Sequence, residues 1–131
     1  MLKRGFRLVV TLTTKGNFNK AEKFLHHPFK SVRSILDRYG KMGVQRLQAA
    51  TPKRTGLTAN SWKYEIVEDS NSISVVWSNS NRIKGISIAL ILQYGHATRG
   101  KGYVQGIDYI NPALRPVFKQ MAADAWKEVS Q

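Results

Sequence analysis

The chain contains no cysteine. Disulfide staples, zinc knuckles and thiol nucleophiles are therefore excluded, and a packed core must hold the fold. Acids are scarce as well: 8 Asp and Glu stand against 21 Lys and Arg, a net charge of +13. So few carboxylates leave little for a metal cage, and no His or acid spacing of a metal site occurs, so no metal or cofactor is expected. Long apolar runs are missing too. The longest, residues 86–92 (ISIALIL), falls far short of the ~20 residues a spanning helix needs. The apolar stretch near the N-terminus is short, is interrupted by Arg7 and precedes no small-residue cleavage site. It does not read as a secretory signal, so the product is expected to stay in the cell that makes it.

What is present fits one domain over residues 1–131, with an ordinary hydrophobic fraction of 42% that argues against disorder. The charge is the outlier, since small soluble domains usually carry a net charge of about 2–8. Such a chain attracts polyanions: nucleic acid, an anionic membrane or an acidic protein surface.

Residues 6–14 (FRLVVTLTT) are β-branched and read as a strand. Lys15-Gly16-Asn17 breaks it, and Asn17 or Asn19 can cap a short helix through Leu25 that stops at His26-His27-Pro28. The best helix runs from Phe29 to Ala50. Phe29, Val32, Ile35, Leu36, Tyr39, Met42, Leu47 and Ala50 form its apolar stripe, and Lys30, Arg33, Asp37, Arg38, Lys41, Gln45 and Gln48 lie opposite. Gly40 and Gly43 mark either close packing or a weak point, and the spacing does not choose between them.

Residues 51–56 form a loop stopped by Pro52 and Gly56. Residues 57–67 read as a strand with Trp62, Tyr64 and Ile66 on one face, and 57–77 as a hairpin turning at residues 68–71. Ser78-Asn79-Ser80-Asn81 reads as a polar break. Residues 86–94 suit a buried strand or a short buried helix equally. Residues 95–106 hold four glycines and read as a mobile surface loop. A last helix opens at Asp108 or Asn111-Pro112 and runs to Val129, with Leu114, Val117, Phe118, Met121, Ala122, Ala125 and Trp126 as its stripe. The class is α+β: a small antiparallel sheet packed against a long helix and a C-terminal helix.

Chemistry finds little footing. His26 and His27 sit at a helix end, where a cationic ring suits the dipole. His96 lies beside Arg99 and Lys101, but no carboxylate is placed locally to support it as a base. Gly100-Lys101-Gly102 lacks the spacing and the Lys-Ser/Thr pair of a phosphate loop. The chain does not read as an enzyme.

Three stretches in order carry a resemblance. They are residues 49–62 (AATPKRTGLTANSW), residues 93–96 (QYGH) and residues 109–114 (YINPAL). Read as helix, A-x-P-x-x-T-G-x-L-x-x-S-W, hairpin, Y-G-H, glycine-rich loop, P-A-L and final helix, the chain resembles the tail-completion, or minor neck and tail, protein family of long-tailed bacteriophages. The resemblance spans residues ~25–130, with the strand and short helix of 1–25 added in front. It implies a non-enzymatic subunit of the head–tail junction. Such a subunit forms homo-oligomeric rings, often sixfold, between connector and tail tube, in the virion and in the host cytoplasm during assembly.

The motif residues make physical sense beside that role: Trp62 and Tyr94 are expected to pack across the helix–sheet seam, and residues 96–106 to stay mobile until a neighbour orders them. The interface candidates are then Lys30, Arg33, Lys41, Lys53, Arg54, His96, Arg99, Lys101 and Tyr103. Their expected targets are acidic surfaces of adjoining neck and tail proteins in preference to genomic DNA, with no membrane role. Two rival readings rest on charge and size: a small basic nucleic-acid-binding protein, and a ribonuclease toxin using His96 or Tyr103 with Arg99.

Overall fold

A computed structural model describes residues 6–13, 30–52, 56–69, 72–97, 100 and 102–129. The fold is α+β. Strand β1 (Phe6–Thr13) is one of the two outer strands of a three-stranded antiparallel sheet. Its other members are β2 (Trp62–Glu68) and the central β3 (Ser72–Asn79), in the order β1-β3-β2. The register runs from Phe6↔Asn79 to Thr13↔Ser72 on one side of β3 and from Trp62↔Asn79 to Glu68↔Ile73 on the other. Helix α1 (Lys30–Ala50) packs on β2 and β3 and on a C-terminal helix, and the core lies between these layers. The short helix expected before residue 26, and His26 and His27 with it, lie outside the described residues.

Helix α1 buries Val32, Leu36, Tyr39 and Leu47, as their three-and-four spacing requires, while Ala50 stands exposed. Its two glycines mark close packing. A Cβ on Gly43 would stand 2.5 Å from Nε1 of the fully buried Trp77, and one on Gly40 would overlap the Tyr64 ring. The Trp77 indole donates to the Gly40 carbonyl at 2.9 Å and stacks obliquely on Phe118, 5.7 Å between centroids. Only a helix surface stripped of side chains lets the sheet approach this closely.

Three sequence expectations need correction. The strand expected from residue 57 begins at Trp62, because 57–61 is taken up by a turn and a 3-10 segment (Ala59–Ser61). Gly56 adopts a φ of 83°, its carbonyl accepts from Asn60 N, and the Leu57 carbonyl accepts from Ser61 Oγ. Ser78-Asn79 is no break: Asn79 is buried, donates to the Thr58 carbonyl at 2.8 Å and accepts from Asn81 N. A polar residue satisfied by that turn extends β3 by two positions. On the last helix, Trp126 is 61% exposed and Ala122 is exposed too, so the buried stripe narrows to Leu114, Val117, Met121 and Ala125.

Beyond the sheet, β4 (Arg82–Ile83) and β5 (Ile86–Ser87) form a minimal hairpin across Lys84-Gly85. Both turn residues have positive φ, 52° and 79°, as a primed two-residue turn demands. The ambiguous run resolves into helix α2 (Ile88–Tyr94), capped by Ser87, whose hydroxyl accepts from Leu90 N. Strands β6 (Gly95–Ala97) and β7 (Tyr103–Gln105) pair next, and helix α3 (Ile110–Val129) closes the chain.

Three tyrosines are locked into this frame. Tyr39 donates its hydroxyl to Asp124, and that bond, with burial, raises its pKa. Burial, with the 2.6 Å bond to Asp37, pushes Tyr64 up to about 12, and burial alone raises Tyr109. A folded pKa above the unfolded value of about 10 gives stability that is full below that pH and is lost as pH rises through the folded pKa. A Tyr94→Phe/Tyr103→Phe variant keeps only these three of the 5 tyrosines. Its phenolate absorbance should rise at a higher pH than that of the unfolded chain, together with loss of circular dichroism. Ionisation near pH 10 in a folded chain would contradict this.

Candidate assembly interface

The residues carrying the family-like motifs are used inside the fold. At the end of α1, Thr51 donates its hydroxyl to the Leu47 carbonyl at 2.5 Å and accepts the Trp62 indole N–H at 2.9 Å. This joins the helix terminus to the first residue of β2. The side chain of Gln93, buried on α2, does the same for the last helix. Its Oε1 accepts from Tyr109 N and Ile110 N, each at 3.0 Å, and its Nε2 donates to Asp108 Oδ1 at 2.7 Å. One amide thus caps the orphan N–H groups that open α3. The same Gln93 bond, aided by Asn111 and Arg115 against desolvation, holds the Asp108 carboxyl below its usual range. Tyr109 returns its hydroxyl to the Ala89 carbonyl at 2.8 Å.

From this buried anchor the chain turns outward. The stretch expected to be a mobile loop is drawn into a two-strand ladder at both ends. A Cβ on Gly106 would press into the backbone of residues 93–95, and Gly95, at φ 83°, would collide with Val104 and Gly106. Close backbone approach explains both glycines, and looseness does not. Tyr103 donates its hydroxyl to the Tyr94 carbonyl at 2.8 Å. The result is a firmly based hairpin that presents large apolar side chains to solvent. Tyr94 and Tyr103 are each 62% exposed, Ile107 59% and Val104 46%, with His96 exposed among them. Tyr94 therefore does not pack across the helix–sheet seam; Trp62 alone does. Single exposed apolar residues are unremarkable, but here four fall within fourteen positions.

The expected basic sites fall into separate groups. His96 and Tyr103 share the hairpin, whereas Arg33 and Lys41 lie on α1. Lys53, Arg54, Arg99 and Lys101, and the side chain of Lys30, lie outside the described residues. Arg33 is turned to an internal partner, Glu68, at 2.7 Å, and Arg38 to Asp124 at 3.0 Å. Both pairs are exposed and contribute little stability, but among the described side chains they reduce the cations α1 can offer a partner to Lys41 and Arg46. Sequence reasoning passed over Tyr94, Val104 and Ile107 as surface residues, because glycine spacing dominates that stretch.

A second feature lies between α1 and β2. An open groove of roughly 600 Å³ is lined by Arg33, Ser34, Asp37, Tyr64, Glu65 and Ile66. Glu65 points outward from β2, and Glu68 and Asp69 follow it. Two of the chain's 8 acids, Asp37 and Glu65, line this groove, and Glu68 pairs with its Arg33. No cluster of three or more metal-ligating side chains occurs among the described residues. Nor is any helix among them long and apolar enough to cross a membrane. No protein-family model matches the chain, and neither a curated protein nor a solved structure matches it.

Proposed function

We propose that the protein is a structural subunit of the phage head–tail junction, joining the tail to the head connector by ring assembly. The observation that carries this reading is the division of labour within the motif stretches. Thr51 and Trp62 tie helix α1 to strand β2, Gln93 and Tyr109 tie helix α2 to the start of α3, and the scaffold they build holds out a hairpin with exposed apolar side chains. Exposed aromatics and aliphatics around a fixed backbone suit a protein partner, which buries an apolar centre behind a polar rim. The net charge of +13 directs such a surface towards acidic neighbours.

The test is complementation. A phage lysate made without this protein should hold filled heads and finished tails that remain separate. Adding the purified protein should join them, as counted by electron microscopy. Joined, infectious particles at normal titre in its absence would defeat the proposal.

A further inference from the structure

Strand β2 ends the sheet on one side, and the hydrogen bonds at its two ends fix which of its backbone groups face outward. Asp69 N donates to the Ser72 carbonyl at 2.9 Å, and Ser80 N donates to the Ser61 carbonyl at 3.3 Å. Bonded pairs alternate along an antiparallel ladder, so in the register Trp62↔Asn79 to Glu68↔Ile73 the residues bonded to β3 are Lys63, Glu65 and Val67. The N–H and C=O groups of Tyr64 and Ile66 point the other way. Among the described residues no strand pairs with that edge. Tyr64 and Ile66 also line the groove between α1 and β2, with Arg33, Ser34, Asp37 and Glu65. The open edge and the groove are therefore one surface.

An extended chain paired with this edge lays every second side chain into the groove, over the half-buried Tyr64 ring and Ile66. The groove's sign is the reverse of the chain's. Arg33 is held by Glu68 at 2.7 Å, which leaves the carboxylates of Asp37 and Glu65 to set it. The Tyr64 hydroxyl donates to Asp37 at 2.6 Å and fixes that carboxylate beside the floor. Lys63, though exposed on the same strand, is not among the lining residues.

We propose that β2 takes up an extended segment of a partner protein as a fourth strand of the sheet, and that this segment carries Lys or Arg on its groove face. Its main chain bonds to Tyr64 and Ile66. Its long apolar stems lie on the groove floor, and their charged ends reach Asp37 and Glu65. The exposed β6–β7 hairpin packs on α2, whereas this edge belongs to α1 and β2, so the two surfaces can hold different neighbours. The partner's biological identity rests on the assembly reading, but the strand pairing does not, and it is tested on the purified chain.

The probe is a capped seven-residue peptide of alternating Val and Lys, matched to the length of β2. Its control replaces Lys with Glu. Non-specific attraction to a chain of +13 favours the Glu peptide, so preference for the Lys peptide reports the groove. Two further versions carry N-methyl groups on the Val residues or on the Lys residues. Added strands bond through alternate residues, so one version should lose binding and the other keep it.

Amide exchange followed by NMR should show Tyr64 and Ile66 fast beside slow Glu65 and Val67 in the free chain. Saturating Lys peptide should slow the first two. Asp37→Asn/Glu65→Gln keeps an acceptor for the Tyr64 hydroxyl and removes both lining charges. It should weaken the Lys peptide roughly fivefold in calorimetry, as expected for two exposed ion pairs. Glu65→Gln alone serves if the double variant fails to fold. Tyr64 and Ile66 amides already slow without peptide overturn the proposal, because the edge is then taken by the chain itself. So do tighter binding of the Glu peptide, equal binding of both N-methylated versions, or unchanged affinity in the variant. A Lys peptide that passes while heads and tails join without the protein would keep this edge and lose the junction role.

Discussion

Gly43→Ala should destabilise the protein by about 1–3 kcal/mol, the range for overpacking a filled core. Helix propensity taken alone gives the opposite sign, since Ala exceeds Gly by up to ~1 kcal/mol in a helix interior. Packing decides. The new methyl would stand 2.5 Å from Nε1 of Trp77, an indole with no exposed surface, held by the Gly40 carbonyl and the Phe118 ring. The ring cannot retreat without breaking that hydrogen bond or displacing β3. Melting curves give the measurement, with a drop of roughly 5–10 °C expected in a chain of this size. Gln45→Ala, on the exposed face of the same helix, should leave the melting temperature unchanged or slightly raised. A Gly43→Ala protein that melts at or above wild type would refute the close packing.

The second large effect falls on Gln93. Replacing it with Leu keeps the volume but removes the acceptor for two buried N–H groups, Tyr109 N and Ile110 N. Each unsatisfied buried donor costs about 1–3 kcal/mol, so the loss for two should reach about 2–6 kcal/mol. Hydrogen exchange should accelerate first in the opening turn of α3. Gln93→Glu separates the contributions. It keeps an acceptor for the two amides but sets a carboxylate against Asp108, which the native amide meets at 2.7 Å. Two facing carboxylates raise each other's folded pKa, so that variant should be most stable in acid and lose stability as pH rises towards neutrality. A Leu variant with native stability, or a Glu variant indifferent to pH between 4 and 7, would show that this amide does not hold the helix.

The long helices and the first strand were legible because their signals are repetitive. Val32, Leu36, Tyr39 and Leu47 on α1, and Leu114, Val117, Met121 and Ala125 on α3, fall at helical spacing and are all buried. Trp62, Tyr64 and Ile66 alternate with exposed Lys63, Glu65 and Val67, and the sheet uses that face as expected. Apart from the local turn at 57–61, the misreadings below share one cause: the partner lay further off along the sequence. Asn79 reads as a breaker until the Thr58 carbonyl receives its amide. Gly106 reads as slack until it is seen against the backbone of Gln93, Tyr94 and Gly95, whereas the unusual backbone expected of Gly95 is there, at φ 83°. Gln93 carries no pattern at all, and its value lies in two N–H groups sixteen and seventeen residues further on. Arg33 and Arg38 look like solvent cations because Glu68 and Asp124 are 35 and 86 positions away.

The sheet order also bears on how the chain comes together during synthesis. Strands β2 and β3 close a local hairpin, with Glu68 facing Ile73, whereas β1 reaches the other side of β3 by pairing Thr13 with Ser72. Closing that longer loop costs about 2 kcal/mol more chain entropy than closing the hairpin. Strand β1 leaves the ribosome first, yet the last residue of its partner strand, Asn79, is added 66 residues after Thr13. At about 5–20 residues per second, the β-branched β1 waits several seconds or more without its partner. Of the three strands in this sheet, the first made is thus the one with the costlier closure to reach its partner.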